Sequence, residues 1–253
     1  MTAPIPLYTM KRSVTDSDTD FSRRQKLSSV FGMFQDIAAL HASNLGADVN
    51  WLRDDLGLAW ILMRIRVEIA SYPKRAQNVI VETWPQEPRA LYDRDYMIKD
   101  ADGNALIRAA STWVIMNLDT REIKRDKFLD YYGLEMKKER ALGESVGRLK
   151  PLKDAEIAYE KEIKFSDVDY NNHVNNARYV DFIMDVFSVD EHRAREIGAI
   201  EVHYNNEIGL GDVLQLRRKN EGNGTDYIDG VRKEDGASVF NALVEWRILT
   251  NEE

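Results

Sequence analysis

Cysteine is absent from the 253 residues, which excludes a disulfide framework, a thiolate zinc site and any mechanism with a cysteine nucleophile. Long apolar runs are missing as well. No stretch approaches the roughly 20 apolar residues that a membrane helix needs, and Met1 to Phe21 hold none long enough for a signal peptide, so a cytosolic protein without a membrane span is expected. Positive charge is short too. A net charge of −8 argues against nucleic-acid binding through bulk electrostatics, which needs a positive surface to displace counterions. The four histidines, His41, His173, His192 and His203, stand apart without ligand spacing, and no Gly-rich phosphate loop occurs, so neither metal nor cofactor is expected.

What the chain does contain is one pattern written twice. Asp102-Gly103 and Asp235-Gly236 each open a long apolar run with a tryptophan at the same depth, Trp113 and Trp246, both pairs standing 133 residues apart. An Asp-Gly turn feeding such a run is a hairpin signal. Upstream, Ile65 to Ile69 and Ile200 to Tyr204 alternate apolar and polar residues as half-buried strands do, and they are 135 residues apart. A helical stripe precedes each. Val30, Phe31, Phe34, Ile37 and Ala38 follow Ser28 or Ser29 as cap, and Tyr179, Phe182, Ile183, Val186 and Phe187 follow Asn175 or Asn176. Each half therefore reads as strand, long helix, then antiparallel strands, an α+β unit with one helix against a sheet. The expected boundaries are an N-terminal domain over 1–130, a linker carrying some helix over 131–158, and a C-terminal domain over 159–253.

A helix wrapped by an antiparallel sheet and duplicated in tandem resembles the double hotdog fold. The run Phe165-Ser-Asp-Val-Asp169-Tyr-Asn171-Asn-His173-Val-Asn-Asn-Ala-Arg-Tyr179 resembles the signature of the acyl-acyl carrier protein (acyl-ACP) thioesterases of plants and bacteria. Trp60 through Pro73, Val81 to Pro85 and Ser111 to Asn117 are similar to the family's first half. The resemblance implies hydrolysis of fatty acyl groups from acyl carrier protein, with Asp169, Asn171, His173 and Glu207 as the catalytic set. Plant members commonly carry cysteine directly after that glutamate. Here the residue is Ile208, so attack must come from water or a carboxylate.

These residue types suit thioester hydrolysis. If the chain is extended there, Asp169, Asn171 and His173 project to one side just before a helix whose first N–H groups, near Asn175 and Asn176, can hold an oxyanion together with the Asn171 amide. Glu207 shares strand parity with Glu201, His203 and Asn205, a polar face, and with His173 can activate water. Asp169 can orient His173 or attack the carbonyl itself. Aligning the two helices on Phe31 and Tyr179, 148 residues apart, places Phe21, Arg23 and Gln25 opposite Asp169, Asn171 and His173, and the strands place Tyr72 opposite Glu207. None of the four then recurs, which assigns chemistry to the second half and acyl-chain binding to the first.

Other notable residues have structural readings. Asn175 and Asn176 are taken as caps, His41 and His192 as hydrogen-bonded structural residues, and Trp51 and Trp60 as core. Arg23, Arg24, Lys26, Arg64 and Arg66 are taken as solvated charges, with a docking patch for an acidic carrier as the functional alternative. Acyl-coenzyme A hydrolysis and a non-catalytic acyl-binding module are the rival functions. The repeat supplies the pseudo-dimer that a single hotdog needs, and pairing of two chains stays open.

Overall fold

The computed structural model describes residues 3–87, 91–124, 134–143, 149 and 155–249. It divides into two compact units, Met1–Val146 and Gly147–Glu253.

In the first unit, β1 (Tyr8–Ser13) leads to α1 (Leu27–Asn44), the short α2 (Val49–Leu56), and then β2 (Leu58–Ile69), β3 (Asn78–Pro85), β4 (Tyr92–Lys99) and β5 (Ala105–Asn117). All pairings are antiparallel and give the order β1-β3-β4-β5-β2. In the second, β6 (Glu156–Glu162) is followed by α3 (Asn176–Met184), the short α4 (Val189–Ala194), and β7 (Arg195–Tyr204), β8 (Val213–Gly222), β9 (Thr225–Arg232) and β10 (Ser238–Ile248). The order β6-β8-β9-β10-β7 is the same topology.

The predicted strands and Asp-Gly hairpins lie where the repeat puts them, with Gly103 and Gly236 supplying the positive φ of 90° and 73° that the turns require. Every residue of the first stripe is buried on α1, and Tyr179, Phe182 and Ile183 are buried on α3. Full burial of such side chains contributes roughly 1.5–3 kcal/mol each. Val186 and Phe187 fall outside the helix, because α3 stops at Met184.

Several expectations change. α1 begins at Leu27 with Lys26 as an N-cap that makes no side-chain cap bond; Ser29 instead donates to Asp18 Oδ1 at 3.0 Å. The short helices α2 and α4 were not foreseen. Trp51 is 40% exposed, so only Trp60, half-buried with its indole donating to Ala47 O at 3.2 Å, behaves as core. The expected linker helix is not found among the described residues of 131–158, and 131–133, 144–148 and 150–154 lie outside them. Residues 134–143 pack onto the first unit's sheet: Trp84 donates to Glu139 O at 2.7 Å, Ala141 N donates to the buried Asp95 at 3.2 Å, and Leu142 covers Ala110. The second unit's first strand starts at Glu156, three residues ahead of the expected boundary. Among the described residues no helix is long and apolar enough to cross a membrane.

Candidate active site

Asp169, Asn171 and His173 are not on an extended segment. Asp169 N donates to His173 O and Asn172 N to Asp169 O, both at 2.9 Å, which closes a tight hairpin with Asn172 left-handed at φ 64°. Asn tolerates that conformation better than most side chains. Inside the turn, Asp169 Oδ1 accepts the Asn171 amide at 2.8 Å. The buried Asp167 anchors the base: its backbone oxygen accepts from Asn175 N at 3.2 Å, and its carboxylate accepts from Lys161 Nζ at 2.6 Å and Lys164 N at 2.8 Å. Burial acts to raise that carboxyl, but the Lys161 and Lys164 hydrogen bonds hold it below the usual range.

The hairpin is fastened to the segment after β7. His173 bridges Gly209, and Val174 N donates to Ile208 O at 3.1 Å. Glu207 does not continue the parity of His203, because the amides of Asn205 and Asn206 both donate to Val239 O, at 2.8 and 3.2 Å. Such a two-on-one bulge re-aims the residues beyond it. His203 pairs with the buried Glu201 at 2.7 Å and accepts from Leu149 N at 3.3 Å; Glu207 instead meets His173, Nε2 to Oε2 at 3.6 Å. Both members of this pair are reachable, with side chains 41% and 38% exposed. Arg232 secures the Glu207 backbone by donating to its oxygen at 2.6 Å.

The oxyanion expectation narrows. Asn175 is the N-cap, its Oδ1 accepting from Ala177 N at 2.9 Å, and Arg178 N donates to Asn175 O at 2.8 Å. The Asn176 amide is then the first-turn donor that has no acceptor among the described residues. On α3 Tyr179 is 3% exposed, with its ring 5.7 Å from Tyr204 and 5.4 Å from Phe240. Burial, and after it the charge of Glu207, raise its hydroxyl above the ordinary range.

The first unit carries the same framework. Asp20 N donates to Arg24 O at 2.9 Å, Arg23 N to Asp20 O at 3.0 Å and Gln25 N to Pro73 O at 2.8 Å; Ser22 N donates to Asp20 Oδ1 at 2.7 Å. Arg23 is left-handed at φ 60°, and the bulge recurs with Ala70 N and Ser71 N both on Leu106 O. The register is thus 149 residues, not 148, and the helix starts Leu27 and Asn176 agree. Asp169 consequently does recur, as Asp20. The sequence signal was Ser17-Asp18-Thr-Asp20-Phe21 against Ser166-Asp167-Val-Asp169-Tyr170, and alignment by helix stripes passed over it by one residue. The other three do not recur: Asn171 faces Ser22, His173 faces Arg24, and Glu207 faces Tyr72. Arg24 lies over the Tyr72 ring, 5.4 Å from its centroid. Tyr179, read from sequence as core stripe alone, corresponds to Val30.

His41 and His192 are hydrogen-bonded within their units, His41 to Ile5 O at 2.8 Å and Arg94 at 3.0 Å, His192 to Met184 O at 3.0 Å.

The model for the acyl-ACP thioesterase N-terminal domain matches residues 6–130, and that for the C-terminal domain matches residues 149–248. Among curated proteins, oleoyl-acyl carrier protein thioesterase 2 of Arabidopsis thaliana is 28% identical over 82% of this chain and 61% of its own length. The palmitoyl-acyl carrier protein thioesterase of the same plant is 26% identical over 94% of this chain and 63% of its own. The chain therefore spans about 61% to 63% of the length of these chloroplastic relatives. Among solved structures, an acyl-ACP thioesterase from Bacteroides thetaiotaomicron superposes with TM-score 0.88 at 24% identity, covering 96% of this chain and 98% of that one. The 12:0-ACP thioesterase of Umbellularia californica gives 0.85 at 22% identity with the same coverage. At these identities the likeness establishes the fold, a tandem double hotdog.

Proposed function

Since this chain belongs to the acyl-ACP thioesterase family, we propose that it hydrolyses fatty acyl-ACP to free fatty acid and carrier protein, with its second half as the catalytic domain. The observation that carries the reading is the accessible His173–Glu207 contact at 3.6 Å, built on a framework whose first-half copy lacks both residues. Glu207 and His173 together take the proton from a water molecule as its oxygen attacks the thioester carbonyl carbon. As the carbon–sulfur bond breaks, a proton returns to the leaving sulfur. Such acid–base work contributes on the order of 100- to 10,000-fold in rate.

Water attack is favoured over attack by Asp169. The Asp169 carboxylate accepts the hairpin amide just as Asp20 does, so part of its presence is explained by the turn. The Asn176 amide and the Asn171 side chain supply donors for the oxyanion, and the positive end of α3 adds to them. The first half takes the acyl chain. Carrier protein as partner and a cytosolic site of action complete the proposal.

The decisive assay offers one acyl group on acyl carrier protein and on coenzyme A and follows fatty acid release. Preference for the carrier thioester is expected. Preference for coenzyme A overturns the substrate, and no release from either overturns the enzyme.

A further inference from the structure

The strand β9 ends on Arg232, whose backbone is fixed in the second Asp-Gly hairpin: its N–H donates to Ala237 O and its carbonyl accepts from Gly236 N, both at 2.9 Å. From there the guanidinium reaches three groups. Nη1 donates to Asp235 Oδ2 at 2.9 Å, Nη2 donates to Glu207 O at 2.6 Å, and Nε stands 3.8 Å from Asp212 Oδ2. That same Asp212 oxygen accepts from Gly209 N at 2.9 Å, and Gly209 bridges His173. One half-buried side chain thus tethers both ends of Glu207-Ile208-Gly209, and the middle residue of this segment accepts from Val174 N at 3.1 Å.

The first half builds the same turn without the clamp. Gln77 Oε1 accepts from Lys74 N at 2.9 Å just as Asp212 accepts from Gly209 N, so a neutral amide is enough for the turn. Asp100 takes the place of Arg232: its N–H donates to Asn104 O at 3.0 Å and its carbonyl accepts from Gly103 N at 3.2 Å. The Asp100 carboxylate accepts from Asp102 N, Asn104 N and Asn104 Nδ2 inside its own hairpin. An acceptor cannot grip Tyr72 O, the counterpart of Glu207 O. The clamp therefore occurs in the half that carries Glu207, although both halves fold the turn.

Glu207 lies past the Asn205–Asn206 bulge, where the ladder with β10 no longer fixes the chain. A planar guanidinium with its donors in a rigid fork suits the task of holding a carbonyl between two carboxylates. We infer that Arg232 is a positioning residue: by gripping Glu207 O and standing against the Asp212 carboxylate that holds Gly209, it fixes the backbone from which the Glu207 carboxylate meets His173. The inference rests on the enzyme reading above. Arg232 acts through Glu207, so its loss misplaces the base and lowers kcat while substrate binding is kept.

The test compares Arg232→Met, which keeps the apolar stem and removes every donor, Arg232→Lys, which keeps a cation without the fork, and Asp100→Asn with the unsubstituted protein. In Arg232→Met, kcat for acyl-ACP falls about tenfold, as losing a hydrogen bond from a charged group implies, with KM held. Hydrogen exchange at the Gly209 and Val174 amides speeds up about as much, while the β10 amides keep their rates. Arg232→Lys falls between Arg232→Met and the parent in both readouts, and Asp100→Asn moves neither. Parent-level kcat or exchange in Arg232→Met overturns the inference, as does a loss confined to KM or a rise in exchange shared equally by β10. Should Arg232→Met fail to fold, Arg232→Lys decides: exchange at the parent rate there overturns the inference. Exchange needs no turnover, so faster Gly209 and Val174 exchange in a protein silent on acyl thioesters upholds the clamp and sinks only the catalysis.

Discussion

In the first half, Asp20 accepts the Ser22 amide inside a hairpin, Arg24 closes that hairpin, and its guanidinium lies over the Tyr72 ring. In the second, Asp169 accepts the Asn171 amide inside the same hairpin, His173 closes it, and its imidazole meets the Glu207 carboxylate. Turn, bulge and helix start are common to both, so they belong to the scaffold. Whatever differs on that scaffold is where function has to be sought. By that criterion Asp169 moves partly into the scaffold, while Asn171, His173, Glu207 and Tyr179 stand apart.

The largest effect that can break this comparison is on turnover. Glu207→Gln or His173→Ala is expected to lower the rate of acyl-ACP hydrolysis by on the order of 100- to 10,000-fold, whereas Arg24→Ala and Tyr72→Phe leave it at the unsubstituted level. Comparable losses from both halves would end the one-site account.

Asp20 and Asp169 sharpen it. Asn at either position keeps an acceptor for the turn amide, so both substitutions should preserve the thermal midpoint. Asp169→Asn is then expected to lose about tenfold in rate through its missing charge, and Asp20→Asn nothing. A loss in Asp169→Asn equal to that of Glu207→Gln would restore carboxylate attack.

Acid sensitivity separates the halves differently. His41 is fully buried between Ile5 O and Arg94; burial, then the Arg94 charge, lowers it from the ordinary 6.5 to about 4. Its neutral form is the folded one. The unfolded chain therefore binds the extra proton between those values, and the stability this site supplies is complete above pH 6.5 and lost as pH falls toward 4, about 3 kcal/mol at most. Denaturant titrations of His41→Gln across that window should show a flatter pH dependence than the parent protein.

A smaller change belongs to the second half. Gly230→Ala forces a methyl into the Phe240 ring and should cost about 1–3 kcal/mol, as overpacking does. An unshifted denaturation midpoint would mean that Phe240 has room to move, and that Tyr179 is held less firmly than its ring contacts imply.

Much of the fold is legible in the sequence. The Asp-Gly turns, the two strand pairs and the helix stripes come from period and turn chemistry, and they locate the repeat. Local reading fails where backbone pairing overrides alternation. The Asn205–Asn206 bulge takes Glu207 off the face of His203, and the left-handed Asn172 folds a segment that side-chain parity treats as extended. A shift of one residue in the repeat hides the equivalence of Asp20 and Asp169, because helix stripes fix a face but tolerate slippage along it.

In the proposed mechanism His173 and Glu207, in contact at 3.6 Å, work as a unit. Residues that act together show non-additive losses, so the most direct measurement is kcat/KM for acyl-ACP hydrolysis by His173→Ala, Glu207→Gln and the double variant, each checked for an unchanged fold. A double variant no slower than the slower single one is predicted. Losses that multiply would contradict the mechanism, because they would mean that the two residues act independently.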